Sequence, residues 1–371
     1  MQPTPHPSPE PVHLAEQHEG LALPRALLTY KQPTDTSHRA AQEGGMRVNL
    51  SGINIGELYR VMQEWGEDTV SSVVDPQTLH SLLDSMNQGL SRAFLPSEWA
   101  GRAHLEQLIE CGWKTQLFFD RSTQPIGGAI FLDRVATSSS NQSISVRDIG
   151  FLYVAPEAQG KGAGRTLVDV LCHLESPDVV LADVINPFSI CPQMDHKSHI
   201  ESDLAKRSTL WQEQFGQVMD PHGRLAFWRK LGFLTPVLNG PGTPPEWAPF
   251  PPIPLDCKDQ PVPPKKSNHS YCYLVRPISP QGWDLFSPSA TAQEWENLYK
   301  ALYPSDSEIN RSSLKSFQRI LGNRERPLYL TDLSNEVEVS HHLLMKLSCD
   351  LRSEGCSTTL GEGEGSHHAP C

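Results

Sequence analysis

The tightest constraint on this chain's fold lies at residues 147–166, where a strand that is apolar on both faces runs into a glycine-rich loop and then a helix. Over 147–154, Ile149, Phe151 and Tyr153 alternate with Leu152 and Val154, and apolar side chains on both faces predict an interior strand. Apolar spacing over 165–174 predicts a helix, and 179–184 predicts a second buried strand. Between them stands Gln159-Gly160-Lys161-Gly162-Ala163-Gly164-Arg165-Thr166. Glycines here let backbone N–H groups turn together at a helix N-terminus, which predicts a phosphate-bearing ligand. Both standard nucleotide motifs fail on spacing. For Gly-x-Gly-x-x-Gly the last position is Arg165 counted from Gly160, or Leu167 counted from Gly162, and no stretch supplies Gly-x-x-x-x-Gly-Lys-Ser/Thr. A strand–helix turn that simply needs glycine is the plainer alternative.

The rest of the chain divides around this core. Residues 1–45 carry Pro3, Pro5, Pro7, Pro9 and Pro11 and little apolar periodicity, which predicts a disordered leader. A short strand over 47–51 and helices over 53–65, 76–86 and 96–111 follow, the second with Asp75 as N-cap and Pro76 at its first position. Strands at 114–119 and 127–135 flank a polar connection at 120–125 suited to an antiparallel hairpin. A polar insertion at 187–219 precedes a helix capped by Asp220 and closed by Gly232. Strands at 233–237 and 271–275 bracket the proline-rich stretch 238–268, read as an irregular surface excursion. Helical patterns at 291–303, 309–321 and 335–352 predict a helical extension over 279–353, and 354–371 reads as a disordered tail.

Charge and cysteines narrow the function classes. A net charge of −12 provides no cationic field for phosphate backbones, so nucleic acid is not the expected partner. No apolar run reaches the roughly 20 residues needed to cross a bilayer, and no secretory leader is evident, so the expectation is a cytoplasmic protein without a membrane partner. The eight cysteines are dispersed and include no Cys-x-x-Cys pair, as expected of reduced thiols. Metal spacing is poor too: Cys191, His196 and His199 make only a weak set, and His341-His342 and the terminal His367, His368 and Cys371 make weaker ones, so no metal is expected.

The run from Asp148 to Arg165 closely resembles the acetyl-CoA-binding core of the GNAT N-acetyltransferase superfamily. That family's signature, (Gln/Arg)-x-x-Gly-x-(Gly/Ala) after a strand and a short proline-containing turn, is matched by Gln159, Gly162 and Gly164. A second signature, an aromatic-rich helix ending in Gly-Phe, is matched by Phe227-Trp228-Arg229-Lys230-Leu231-Gly232-Phe233. The order of predicted elements agrees over 46–278. The resemblance implies a mixed α+β domain, a mostly antiparallel sheet flanked by helices, carrying the two insertions.

It further implies acetyl-CoA as acyl donor and a primary amine as acceptor, either a small molecule or a protein lysine or N-terminus. The pyrophosphate would sit on the amides of Gln159, Gly160, Lys161, Gly162, Ala163, Gly164 and Arg165, with side-chain contacts from Lys161, Arg165 and Thr166. Leu152 and Val154 would pair with the pantetheine arm, and the Leu152 N–H would face the thioester oxygen as it becomes an oxyanion. Asn186 matches a CoA-contacting position. An attacking amine must be neutral, which requires a base, and Asp148 stands where one branch of the family carries its glutamate. Trp228 occupies the place of the family's usual tyrosine acid, and indole cannot supply that proton. Tyr153, water or a residue of the insertion would then protonate the thiol, or no acid is needed. The rival reading is a GNAT scaffold that binds CoA or a partner without turnover. The sequence identifies neither the acceptor nor an oligomeric state.

Overall fold

The two strands expected at 114–119 and 127–135 pair antiparallel near the middle of the structure. The computed structural model describes residues 28–31, 51–65, 75–96, 98–120, 125–185, 209, 211–213, 215–216, 218–238, 246–248, 271–304 and 308–331. The N-terminal half contains β1 (Leu28–Lys31), β2 (Ser51–Asn54), α1 (Ile55–Trp65), α2 (Pro76–Ala93), α3 (Arg102–Glu110) and β3 (Lys114–Phe119). The central elements are β4 (Pro125–Thr137), β5 (Ser143–Val154), α4 (Ala163–His173), β6 (Val179–Ile185) and α5 (Pro221–Lys230). They are followed by β7 (Thr235–Leu238), β8 (Glu246–Trp247), β9 (Tyr271–Pro277), α6 (Pro280–Asp284), α7 (Ala292–Leu302), α8 (Glu308–Leu321) and β10 (Leu328–Thr331).

Among the described residues, seven strands form one sheet in the order β1-β2-β3-β4-β5-β6-β9. Every neighbouring pair is antiparallel except β5 and β6, which the crossover through α4 makes parallel. This is the mixed, mostly antiparallel α+β sheet the sequence implied. On one face, Leu167 and Leu171 of α4 and Trp228 and Leu231 of α5 pack against Phe131, Ile149, Val180 and Ala182. The other face is shared. Leu79, Leu83 and Met86 of α2, with α1 and α3, cover the β2–β5 half, while Trp295, Leu298 and Tyr299 of α7 cover Val146, Val179, Leu181 and Val275. Helix α7 thus packs directly on the sheet, and Phe317 of α8 stacks on Tyr299 behind it.

The caps follow the sequence. Asp75 accepts from the Thr78 N–H at 2.9 Å and Asp220 from the Gly223 N–H at 2.9 Å, each immediately before a proline-started helix. Gly232 has a φ of +82°, and the Phe233 N–H returns to the Trp228 carbonyl at 3.2 Å, closing α5 and turning the buried Phe233 under it. Arg147 ties β5 to the far end of α4. Its guanidinium grips Asp133 at 2.7 and 2.8 Å, caps the Leu171 and Leu174 carbonyls at 2.5 and 2.8 Å, and lies 4.4 Å from the Phe131 ring centre.

Several expectations are corrected. Ile149 does not share a face with Phe151 and Tyr153: Ile130 pairs with Phe151 and Phe131 with Ile149, so Gly150 bulges and the alternation reverses. Ile149 joins Leu152 and Val154, and Phe151 joins Tyr153 on the opposite face. Helix α3 starts at Arg102 rather than near 96, because Gly101 at φ +90° breaks the approach. Strand β1 lies within the expected leader. Strand β7 does not extend the large sheet; it pairs with β10 and with β8, a strand inside the proline-rich stretch. Trp247 finds backbone partners there because the prolines surround it without occupying it. Cys111 is disulfide-bonded rather than reduced, since dispersal along a sequence does not prevent a meeting in space. The helix expected at 335–352 and most of the insertion at 187–219 lie outside the described residues.

Candidate active site

The parallel ladder between β5 and β6 is short. Its rungs run from Val146 opposite Val179 to Ile149 opposite Ala182, while β5 continues to Val154 and β6 to Ile185. Beyond Ile149 the strands fork, with the Gly150 bulge at the branch. Peptide groups alternate in direction along a strand, so one bond orients the others. The Ala155 N–H donates to the Ile126 carbonyl at 2.8 Å on the β4 side, so Leu152 and Val154 turn their N–H and C=O groups toward the fork. In keeping with this, the Val154 carbonyl accepts from Gln159 Nε2 at 3.0 Å. A groove of about 1160 Å³ follows the fork. Leu152 and Val154 form one wall and Asp183 and Val184 the other, with Gly89 and Arg92 of α2, Arg224 and Trp228 of α5, and the glycine loop around them.

A single 3-10 turn, Pro156–Ala158, joins β5 to that loop. Gly160 and Gly162 have φ of +70° and +82°, and Gly162 is the N-cap of α4. These are glycine positions by backbone conformation. Gly164 serves a different need. A Cβ there would lie 3.0 Å from the Phe227 ring, so its absence lets α5 lie against the first turn of α4. Lys161 and Arg165 are exposed at the groove's rim. Thr166, expected among the phosphate contacts, does not line the groove; its hydroxyl donates instead to the Gly162 carbonyl at 3.2 Å, as threonines inside helices commonly do.

The carboxylates are placed differently from the expectation. Asp148 is 2% exposed and lies beneath the groove rather than along it. Burial, then the neighbouring Asp183, pushes its carboxyl well above the usual range. Asp183 is half-buried and lines the groove, and burial, then Glu98, raises its carboxyl to about 7 against the opposing charge of Arg224. Sequence reasoning passed over Asp183 because an aspartate in an apolar strand carries no motif; a charge within a buried run was the available signal. Arg224 makes two bonds to Glu98, at 2.5 and 3.1 Å, and lies 5.1 Å from the Phe94 ring centre.

Trp228 lines the groove with its ring edge-on to Phe227 and Phe233, at 5.3 and 4.8 Å between centres. Tyr153 also borders the groove, but its ring fills a slot between α2 and β4: a Cβ on Gly89 would stand 2.1 Å from it, and one on Gly128 2.7 Å. Burial raises its hydroxyl pKa, which keeps it protonated. Asn186 lies outside the described residues. The structure therefore brings together Leu152, Tyr153, Val154, the segment from Gln159 to Arg165, and Trp228, and leaves Asp148 below and Thr166 aside.

No protein-family model matches the chain, and no curated protein matches it in sequence. Solved structures similar to it include the NatC complex bound to Gag peptide and CoA, 14% identical over 54% of this chain and 90% of that one, with a TM-score of 0.26. Another is a phosphinothricin acetyltransferase from Sinorhizobium meliloti in complex with AcCoA, 15% identical over 63% and 90% of the two chains, TM-score 0.25. A third is a variant of the spermidine N-acetyltransferase from Vibrio cholerae, 11% identical over 62% and 93%, TM-score 0.27. The mixed, mostly antiparallel sheet flanked by helices, with Gln159, Gly162 and Gly164 at the turn into α4, is the fold that the sequence resemblance implied.

Proposed function

We propose that the protein is an acyl-CoA-dependent N-acyltransferase that moves an acetyl group from CoA directly to an amine. The carrying observation is the β5 edge left open beyond Ile149 and running into the left-handed glycine turn. An extended arm can pair with such an edge while its phosphates meet oriented amides at a helix N-terminus. In this reading the loop amides from Gln159 to Arg165 hold the pyrophosphate, and Lys161 and Arg165 add charge at the rim. The Val154 N–H pairs with the arm; its carbonyl is taken by Gln159. The Leu152 N–H donates to the thioester oxygen, where it strengthens as that oxygen gains charge.

Trp228 favours a second reading, a CoA-binding scaffold without turnover, because it stands at the groove where the family has its acid and carries no transferable proton. Calorimetric titration with CoA and acetyl-CoA, followed by an acceptor screen that reads free thiol, separates the two. Donor binding with acceptor-dependent thiol release supports the transferase. Binding with no release under any acceptor supports the scaffold, and no binding refutes both.

A further inference from the structure

Two carboxylates meet where the strands fork. Asp148 on β5 is opposite Leu181 on β6, and Asp183 is the next residue of β6 on the Leu181 side of the sheet. The alternation is marked by the clusters: Val180, Ala182 and Val184 face α4 and α5, while Val179 and Leu181 face α7. Asp183 therefore stands one step past the last rung, at the mouth of the fork, with Asp148 behind it. The Oδ1 atom of each is buried and has no hydrogen-bond partner. An unpaired buried carboxylate is costly, and the cost falls when a proton or a cation arrives.

The surroundings supply acceptors and neutral hydroxyls. Tyr273 of β9 is directly opposite Asp183 in the sheet, and its hydroxyl is 3.1 Å from that of Tyr303 at the end of α7. Glu98 before α3 and Arg224 of α5 complete the charged groups that act on Asp183, and Arg224 is engaged in its double bond to Glu98. Asp148 comes from β5. Both tyrosine hydroxyls are held protonated by burial first and by the aspartates after it.

We propose that Asp183, at the mouth of the fork with Asp148 behind it, holds the acceptor's nitrogen and takes up the proton that nitrogen must lose. The inference rests on the acyl-transfer reading. One N–H proton passes to Asp183, and the freed lone pair forms the N–C bond at the thioester carbonyl. The C–S bond then breaks, and the departing sulfur takes the second proton from nitrogen, giving amide and free thiol. Asp183 returns its proton to solvent. Two carboxyls this close ionise in turn, and Asp148, the more deeply buried, keeps its proton while Asp183 cycles. Asp148 is thus a positioning residue.

The test uses the full chain with CoA present and spermidine, a lysine-bearing peptide and aniline as acceptors. Asp183→Asn should lower kcat/KM for the two alkylamines by on the order of 10²–10⁴ while CoA affinity stays within about twofold. Asp148→Asn, which mimics the protonated side chain, should cost less than about tenfold. Glu98→Gln removes a negative neighbour of Asp183 and should move the acid limb of the kcat/KM profile to lower pH. If Asp183→Asn fails to fold, that limb shift carries the test. An Asp183→Asn enzyme with the parent's rate and pH profile overturns the inference and leaves the acyl-transfer reading intact. Should the parent bind CoA but turn over no amine, calorimetry decides: spermidine binding lost on Asp183→Asn supports the docking site, and no spermidine binding by the parent overturns it.

Discussion

Gly162→Ala is the smallest change that tests the donor end. Gly162 has φ +82° and ψ 0°, and a Cβ built there meets no protein atom within 4 Å, so the added methyl strains the backbone without colliding with the protein. An L-residue in that region costs roughly 1–2 kcal/mol. In the free protein the loop can relax out of the left-handed turn and shed that strain. CoA binding must then restore the turn, and 1–2 kcal/mol corresponds to a loss of roughly 5–30-fold in affinity. A phosphate in the open space beside Gly162 would add a steric term. Calorimetric titration of CoA on folded Gly162→Ala should therefore show at least that loss, with thermal unfolding changed by only a few degrees. Gly164→Ala is the matched control: its methyl meets Phe227 at 3.0 Å, so its effect appears first in stability. Parent-like CoA affinity in Gly162→Ala would refute the assignment of the loop as the phosphate cradle.

Three further perturbations test the frame around the groove. Gly89→Ala places a methyl 2.1 Å from the Tyr153 ring and should destabilise by about 1–3 kcal/mol, seen as a lower Tm and as weaker acceptor turnover from a displaced α2. Arg224→Ala leaves Glu98 buried without its cation and should cost about 3 kcal/mol by chemical denaturation; an unchanged midpoint would show that the pair is solvated. Burial pushes the Asp133 carboxyl up, but Arg147 and Lys114 outweigh it and hold it below its ordinary value. A carboxyl lowered on folding adds stability above its unfolded pKa of about 3.9, and that stability drains as pH falls through the folded value. Acid unfolding should consequently be steep below about pH 4 in the parent and shallower in Arg147→Met.

Most of the sheet was legible because its signals are local. The polar connection at 120–125 marked β3 and β4 on either side of it, a short apolar run marked β6, the Asp75-Pro76 and Asp220-Pro221 pairs marked helix starts, and Gly232-Phe233 marked a helix end. The misses depend on pairing. The Gly150 bulge is defined by β4, since only a partner strand can show that two residues oppose one. Strands β7, β8 and β10 hold one another in a sheet of three, and a two-residue strand such as Glu246–Trp247 has no period of its own. Trp99 keeps helical spacing with the residues that follow, which carries the expected helix back to 96, although Gly101 interrupts the backbone and α3 starts at Arg102.

The same distinction runs through the candidate site. Its donor end answers to backbone demands: glycine where φ is positive, glycine where two helices touch, and a glutamine placed to reach the carbonyl five residues earlier. Each demand leaves a residue type at a fixed spacing, so the sequence displays it. The acceptor end has no such spacing. Asp148, Asp183, Tyr273, Tyr303, Glu98 and Arg224 come from six separate stretches of chain, and the fork gathers them only because β6 stops pairing with β5 after Ala182. Asp148 drew notice from its position ahead of the glycine loop, whereas Asp183 sits within an apolar strand and earned none. Burial reverses that ranking: the residue nearer the motif is sealed beneath the groove, and the one without a motif opens onto it.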